Sequence, residues 1–320
     1  MDPKLRIYRR KKKTFSRLKD IPGGQAQGGV TPGCLVLEGG AFRGLYSQGV
    51  MDALMLAGIN LQTTVGVSAG ALGGVSYVSG QIGRSAHINL EYRHDPRYVG
   101  TAAFRRSRSI LNLDFILRDV TRMLPLNDET FMDPARRFVA VVTSMENGET
   151  LYFEKGRCVD ILSAIKASAS MPYISPAVDV EGIPCMDGGC SCKVPYEWAL
   201  AQGFEKIVVV RTRDRSYRKP VPERESPLPD RVYRRYPQFA AKLKSSVADY
   251  NHQCDELLRL EAEGRVFTIA PSEPVTVSRL EGDLEKLGSL YELGLRDARE
   301  QLPALRKYLG LKEEKANDMA

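Results

Sequence analysis

The stretch Leu61–Leu72, LQTTVGVSAGAL, passes from a short apolar strand through G-x-S-x-G into small helix-forming residues. No other stretch restricts the fold as much. Glycines at 66 and 70 permit a sharp turn that leaves the Ser68 hydroxyl standing above the strand end. The following helix brings free N–H groups and the positive end of its dipole beside that hydroxyl. Upstream, Cys34–Leu37 reads as a buried strand ending in a glycine loop. Leu45–Ala57 carries Leu45, Val50, Leu54 and Ala57 on one helical stripe, with Gly58 as its stop. Strand, helix and strand make a β-α-β unit, expected to be parallel with a right-handed crossover.

The same alternation continues along the chain. Ala69–Ser79 reads as a helix, Phe138–Ser144 and Thr150–Glu154 as strands, Cys158–Ser168 as an amphipathic helix, Val194–Gln202 as a helix and Lys206–Arg211 as a buried strand. Helices over about 236–263, a strand at Val266–Ala270 and a final helix at Leu284–Leu309 close the pattern. Alternating helices and apolar strands predict a three-layer α/β domain. We divide the chain into a basic, Gly/Pro-rich leader over 1–33, expected to be disordered, and a core over 34–212. A polar, Pro-rich loop over 213–235 leads to a helical extension over 236–310, with one strand packed on the core, and a tail over 311–320. Residues 80–130 are less regular. There Phe104, Ile110, Leu111, Phe115, Ile116 and Leu117 could line an acyl pocket or pack a core, the latter being the usual role of such stripes.

The net charge of +7 belongs to one end: residues 1–20 hold nine Lys/Arg and two Asp, leaving a neutral body. Such a leader can hold to anionic lipid headgroups or merely solubilise the chain. The neutral body argues against a nucleic-acid partner. No run approaches the length of apolar sequence a membrane helix needs, and the leader lacks the apolar stretch of a secretory signal, so a cytoplasmic enzyme is expected. The six cysteines are too scattered for a disulfide framework. C-x4-C-x-C at Cys185, Cys190 and Cys192 has neither zinc spacing nor a nearby histidine, so buried reduced thiols and no metal are expected.

A second glycine loop, EGGAFRG (Glu38–Gly44), leaves backbone N–H groups for a negative oxygen. A dinucleotide phosphate would call for G-x-G-x-x-G and an acidic ribose ligand, which this spacing lacks. The oxyanion of an acyl intermediate fits better beside a serine on the next strand, with Arg43 reinforcing the hole or bridging to the sheet. For the base, the order Ser68, Asp187, His252 would match an α/β-hydrolase triad, but only one strand precedes the serine. His252 also lies in a polar helical stretch, and His87 and His94 flank a charged helix. Asp187 precedes Gly188 and Gly189, which could take positive φ and swing its carboxylate into a cleft. The alternative is an aspartate that caps a hairpin turn.

Together these motifs resemble the patatin-like phospholipases. The pattern G-G-G-x-[RK]-G, G-x-S-x-G and D-G-[GA] stands here as Gly39-Gly40-Ala41-Phe42-Arg43-Gly44, Gly66-Val67-Ser68-Ala69-Gly70 and Asp187-Gly188-Gly189. The resemblance covers Cys34 to Arg211 and implies a three-layer α/β/α fold with a mainly parallel sheet. It also implies a lipid acyl hydrolase acting on acyl-ester substrates through a Ser68–Asp187 dyad, without histidine, metal or organic cofactor. The N–H groups near Gly39, Gly40 and Ala41 would hold the oxyanion, with Arg43 orienting the loop. Ala41 departs from the pattern: its methyl group restricts φ but keeps the N–H.

Overall fold

The computed structural model describes residues 14–312. Its strands, in chain order, are β1 (Gly24–Gln25), β2 (Val30–Leu37), β3 (Asn60–Val67), β4 (Gln81–Ile82), β5 (Arg137–Ser144), β6 (Thr150–Glu154), β7 (Val178–Val180), β8 (Ile183–Asp187), β9 (Ile207–Val210) and β10 (Phe267–Ile269). The helices are α1 (Gly44–Leu56), α2 (Ala69–Val78), α3 (Arg84–Tyr92), α4 (Thr101–Ser107), α5 (Thr121–Met123) and α6 (Asp128–Met132), followed by α7 (Ile161–Ser168), α8 (Tyr196–Ala201), α9 (Leu228–Val232), α10 (Pro237–Ala262) and α11 (Leu284–Leu309). No helix among the described residues is long and apolar enough to cross a membrane.

The main sheet runs β10-β9-β2-β3-β5-β8-β7, with β6 also on β5. The five strands β10 to β5 are parallel, and β6, β7 and β8 join antiparallel. Helices cover both faces, so the parallel strands are apolar on both sides rather than alternating. Leu35, Leu37, Val208 and Val210 face α1 and α11, and Phe138, Ala140 and Val142 face α2 and α7. Cys34, Val36, Val65, Val67, Val139 and Val141 face the opposite layer, α8 and α10. The architecture is the expected three-layer α/β/α sandwich. From β2 the chain winds outward through β3 to β5, while β9 and β10 lie on the other side of β2. The sheet therefore changes direction between β2 and β9, and in such sheets ligands bind beyond the strand ends at that point.

Two registers set up the site. Along one edge of β5, Val67 of β3 pairs with Val141, and Asp187 of β8 pairs with the next residue, Val142. Because β6 pairs with Val139–Thr143, it must occupy the other edge. The ends of β3 and β8 thus meet head-on, which puts residue 68 beside residue 187.

Helix α1 differs from its expected stripe: every residue from Gly44 to Met55 is buried. It is sandwiched between the sheet and α11, and the two helices nearly touch. A Cβ on Gly49 would lie 2.1 Å from the Tyr291 carbonyl oxygen, and one on Gly294 would lie 2.1 Å from that of Tyr46.

The expected disorder of 1–33 does not hold for residues 14–33; residues 1–13 lie outside the described part. Phe15 is 2% exposed and rests on Gly288 of α11, where a Cβ would collide with its ring. Ser16 gives both its N–H and its hydroxyl to Glu285, Arg17 pairs with Glu292 at 2.7 Å, and β1 pairs with β4. Two apolar anchors, Phe15 and Ile21, outweigh the Gly/Pro content from which a loose linker was read. The loop 213–235 contains one short helix, α9. All six cysteines are unpaired; Cys158 is half-buried and the other five are buried.

Candidate active site

Ser68 sits at the junction of β3 and α2 with φ +56° and ψ −118°. A side chain in that region is strained by of order 1–3 kcal/mol. The glycines around it serve by lacking a Cβ rather than by positive φ, which neither adopts. A Cβ on Gly66 would lie 2.6 Å from the Gly70 carbonyl carbon, and one on Gly70 would lie 2.6 Å from the Leu37 carbonyl oxygen. The strained turn is held by two bonds: the Ser68 N–H donates to Ser168 Oγ at 2.9 Å, and its carbonyl accepts from the Leu72 N–H at 3.0 Å.

The Ser68 hydroxyl donates to Asp187 Oδ2 at 2.7 Å, and each residue is 7% exposed. The other carboxylate oxygen, Oδ1, accepts from the Gly189 N–H at 2.7 Å. The Asp187 backbone is fixed at both ends, its N–H on the Ser170 carbonyl and its carbonyl on Thr143 Oγ1, each at 2.9 Å. Burial pushes the carboxyl above the usual carboxylate range, opposed by the Ser68 and Gly189 bonds and, at longer range, by Arg279 and Lys193. Such a shift makes the group a better proton acceptor near neutral pH. Gly188 and Gly189 do not take the positive φ expected of them. Gly188 is needed for close approach, since its Cβ would lie 2.3 Å from the Val141 carbonyl oxygen. The triad alternative does not assemble: His252 and His94 are exposed, and His87 is half-buried on α3.

The loop after β2 approaches the serine from above. A Cβ on Gly39 would sit 3.2 Å from Ser68 Cβ, and one on Gly44 would sit 2.8 Å from Ala69 Cβ. One of its expected donors is engaged elsewhere: the Gly39 N–H points to the Lys193 carbonyl at 3.3 Å. Among the described residues no acceptor is found for the N–H groups of Gly40 and Ala41. Ala41 adopts φ +50°, a left-handed conformation that costs an alanine about 1–2 kcal/mol. Arg43 is 8% exposed, and its Nε has no partner among the described residues. Burial, reinforced by Arg213, lowers its guanidinium pKa to about 10.

Sequence reasoning missed the support beneath this loop. Glu38, at the end of β2, accepts from the Tyr250 hydroxyl at 2.8 Å and from the Thr212 N–H at 2.6 Å. Arg211, at the end of β9, places its Nε 4.0 Å from Glu38. Burial opposes the charge on Arg211, but Glu38, then Tyr250, keep its pKa above the ordinary value. The signal was available: both are charged residues that close an apolar strand, at the point where the sheet changes direction.

Two cavities meet at Ser68, sharing Ala41 and Met171 as common walls. One, of about 370 Å³, is lined by apolar side chains that include Leu45, Leu72, Val75, Ile88 and Phe131. Of the six residues singled out in the irregular region, Leu111, Ile116 and Leu117 line this cavity. Phe115 packs in the core beside it, and Phe104 is exposed. The other cavity, of about 530 Å³, contains the glycine loop, Asp187 and several cations.

A family model described as "Patatin-like phospholipase" matches residues 35–200, and a second, "Domain of unknown function (DUF6363)", matches 236–310. The chain is 29% identical over 183 residues to YjjU of Escherichia coli K12, an uncharacterized protein, covering 56% of this chain and 51% of the relative. It is 29% identical over 168 residues to an uncharacterized NTE family protein of Mycobacterium bovis, covering 50% of this chain and 43% of that one. The chain thus spans about half the length of these curated relatives. Among solved structures, VipD from Legionella pneumophila aligns at 12% identity and a TM-score of 0.44, covering 85% of this chain and 67% of that one. With one family model spanning more than half of its residues, this chain belongs to the patatin-like phospholipase family.

Proposed function

We propose that the protein is a serine acyl-ester hydrolase of the phospholipase A type that works through a covalent acyl-enzyme. The observation that carries this reading is the 2.7 Å bond from the Ser68 hydroxyl to Asp187, made where an apolar cavity opens. The acyl chain lies in that cavity, with the ester carbonyl over Ser68. As Ser68 Oγ attacks, its proton passes to Asp187 Oδ2, and the developing oxyanion takes the free N–H groups of Gly40 and Ala41. Each well-placed donor is worth about 3 kcal/mol at such a site. Asp187 then protonates the departing alcohol oxygen and afterwards removes a proton from the water that cleaves the acyl-enzyme. Arg43 buttresses the loop from below and adds positive charge. The setting we propose is cytoplasmic, at the inner membrane surface, with the basic residues before Thr14 drawn to anionic headgroups.

Hydrolysis of a p-nitrophenyl acyl ester tests the dyad directly. Ser68→Ala and Asp187→Asn are each expected to lower kcat/KM by at least about 10³-fold, whereas His252→Ala stays within about twofold of the parent. Activity retained in Asp187→Asn and lost in His252→Ala would reinstate the triad. A fluorophosphonate probe should label Ser68. Failure to label, with no ester cleaved, would leave a catalytically silent lipid- or membrane-binding protein of the same fold.

A further inference from the structure

Among the described residues, every N–H of the loop Glu38–Gly44 has a protein acceptor except those of Gly40 and Ala41. The N–H groups of Glu38 and Arg43 go to the carbonyls of Val210 and Gly40, each at 3.1 Å, and that of Gly44 goes to Ala41 and Phe42. Gly39 donates to the Lys193 carbonyl and Phe42 to the Arg279 carbonyl, each at 3.3 Å. Two neighbouring donors are thus spared while those on either side are fixed. Ala41 holds φ +50° in the middle of this arrangement, and such strain persists only where the surroundings over-determine it.

Much of the anchoring comes from outside the residues that the patatin-like model matches. The segment 236–310, matched by the model of unknown function, reaches the loop at three points. From α10, the Tyr250 hydroxyl donates to Glu38 Oε1 at 2.8 Å, and both residues are buried. One turn on, Gln253 Oε1 accepts the Lys193 N–H at 3.3 Å, and the Lys193 carbonyl in turn holds Gly39. From the chain before α11, the Arg279 carbonyl takes the Phe42 N–H. The next two carbonyls, of Leu280 and Glu281, accept from Arg93, whose guanidinium lies 4.6 Å from the Phe42 ring centre. The cations around the larger cavity do not fasten the loop by ion pairs. Among the described residues Arg43, Lys193, Arg213, Lys219 and Arg279 have no carboxylate oxygen within 4.0 Å. Glu38 is the fixed post instead, since its carboxylate collects Tyr250, the Thr212 N–H and, more distantly, Arg211. Removing one donor from a buried carboxylate leaves a desolvated charge short of a partner.

We propose that the segment 236–310 sets the oxyanion hole of this centre, with Tyr250 as its positioning residue: it fixes Glu38 so that the Gly40 and Ala41 N–H groups stay free for the substrate oxygen. The inference rests on the hydrolase reading above and extends it to a part of the chain that holds no reacting group. Tyr250 makes its hydrogen bonds with Glu38 and Arg211, not with Ser68 or Asp187. Oxyanion donors act on the transition state more than on the bound ester, so a displaced loop costs turnover and spares binding.

The test uses the full-length protein and the p-nitrophenyl ester. Tyr250→Phe keeps the ring and removes the hydroxyl. We expect kcat to fall by about 10- to 100-fold with KM within about twofold of the parent. Fluorophosphonate labelling of Ser68 should slow in step, since its phosphoryl oxygen needs the same donors. Glu38→Gln should act alike, and the double variant should lose little more than either single one, because both break one contact. Leu257→Val, buried on the same helix against the sheet, should lower Tm while leaving kcat within about twofold of the parent. Folded Tyr250→Phe and Glu38→Gln proteins that both keep the parent kcat overturn the inference and leave the hydrolase reading standing. So does a change confined to KM, or an equal loss of kcat in Leu257→Val, since either makes the segment a general support. If the parent cleaves no ester and Ser68 resists the probe, the hydrolase reading fails instead. Hydrogen exchange then decides the brace. Tyr250→Phe should speed exchange over residues 38–44 by at least about tenfold and Leu257→Val should not, and equal protection in all three proteins overturns it.

Discussion

The two cavities at Ser68 are built on opposite principles. The apolar one is walled mainly by helices packed on the sheet and by the π-helical turn Phe115–Val120, so its lining shares side chains with the core. The cationic one is walled by one face of α10 (Leu243, Ser246, Val247 and Tyr250) and by irregular chain: the loop after β2, residues 171–174, the segment after β8, the residues after β9 and the stretch before α11. Burying apolar lining stabilises the fold whether or not a ligand is present. Gathering unpaired cations does the reverse. The first cavity shares its lining with the core, whereas the second gathers like charges against a free-energy cost.

Stability against pH is the most severe way to break this contrast. Lys219 titrates near 6 in the fold and near 10.5 when free, so the unfolded chain holds the extra proton between those values. Its folded pKa is lowered, so the destabilisation is complete below pH 6 and fades as pH rises towards 10.5. Lys219→Gln should therefore raise Tm most at pH 6, and its advantage should shrink by up to about 1.4 kcal/mol per pH unit above that. Equal Tm for variant and parent across pH 6–9 would show that the cations are compensated after all.

A smaller effect is expected in the apolar cavity. Leu72, one turn after Ser68, can be enlarged without touching the Ser68–Asp187 contact. Leu72→Trp should lower the ratio of kcat/KM for long against short acyl esters by about 10- to 100-fold, a loss of roughly 1.4–2.8 kcal/mol of selectivity. An unchanged ratio would mean that the chain lies elsewhere. The smallest effect belongs to the shared wall. Ala41→Gly relieves a left-handed alanine and should stabilise the fold by about 1 kcal/mol, measured by urea denaturation. A loss of stability would show that the methyl contacts matter more than its φ.

The same contrast explains what the sequence made legible. Strand β2, the serine turn and Asp187 could be read because each needs a particular residue type at short range: an apolar run, glycines without Cβ, a carboxylate before small residues. Helix α11 was expected at the bounds it has, Leu284–Leu309. The cationic chamber was not, because its residues are scattered from Arg43 to Arg279 and its loop, Arg213–Tyr236, looked like ordinary polar surface. Only the change of direction between β2 and β9 folds that loop back. Residues 14–33 were misread for a related reason: glycine and proline signal irregular backbone, but they do not say whether Phe15 and Ile21 find a place to dock. Gly288, the notch that receives Phe15, lies 273 positions later in the chain.

The meeting of β3 and β8 along one edge of β5 has a consequence for how this centre tolerates change. Side chains on a strand alternate faces, with about 3.3 Å between neighbours. A slip of β8 by one position would turn the Asp187 carboxylate to the far side of the sheet, and a slip by two would carry it roughly a side-chain length away. The backbone of β5 therefore works as a ruler for Ser68 and Asp187, graduated in residues and read at Val141 and Val142. Loops around both cavities can lengthen or change composition while the ruler stays intact, so the cavity linings and the Ser68–Asp187 contact are set by different parts of the molecule.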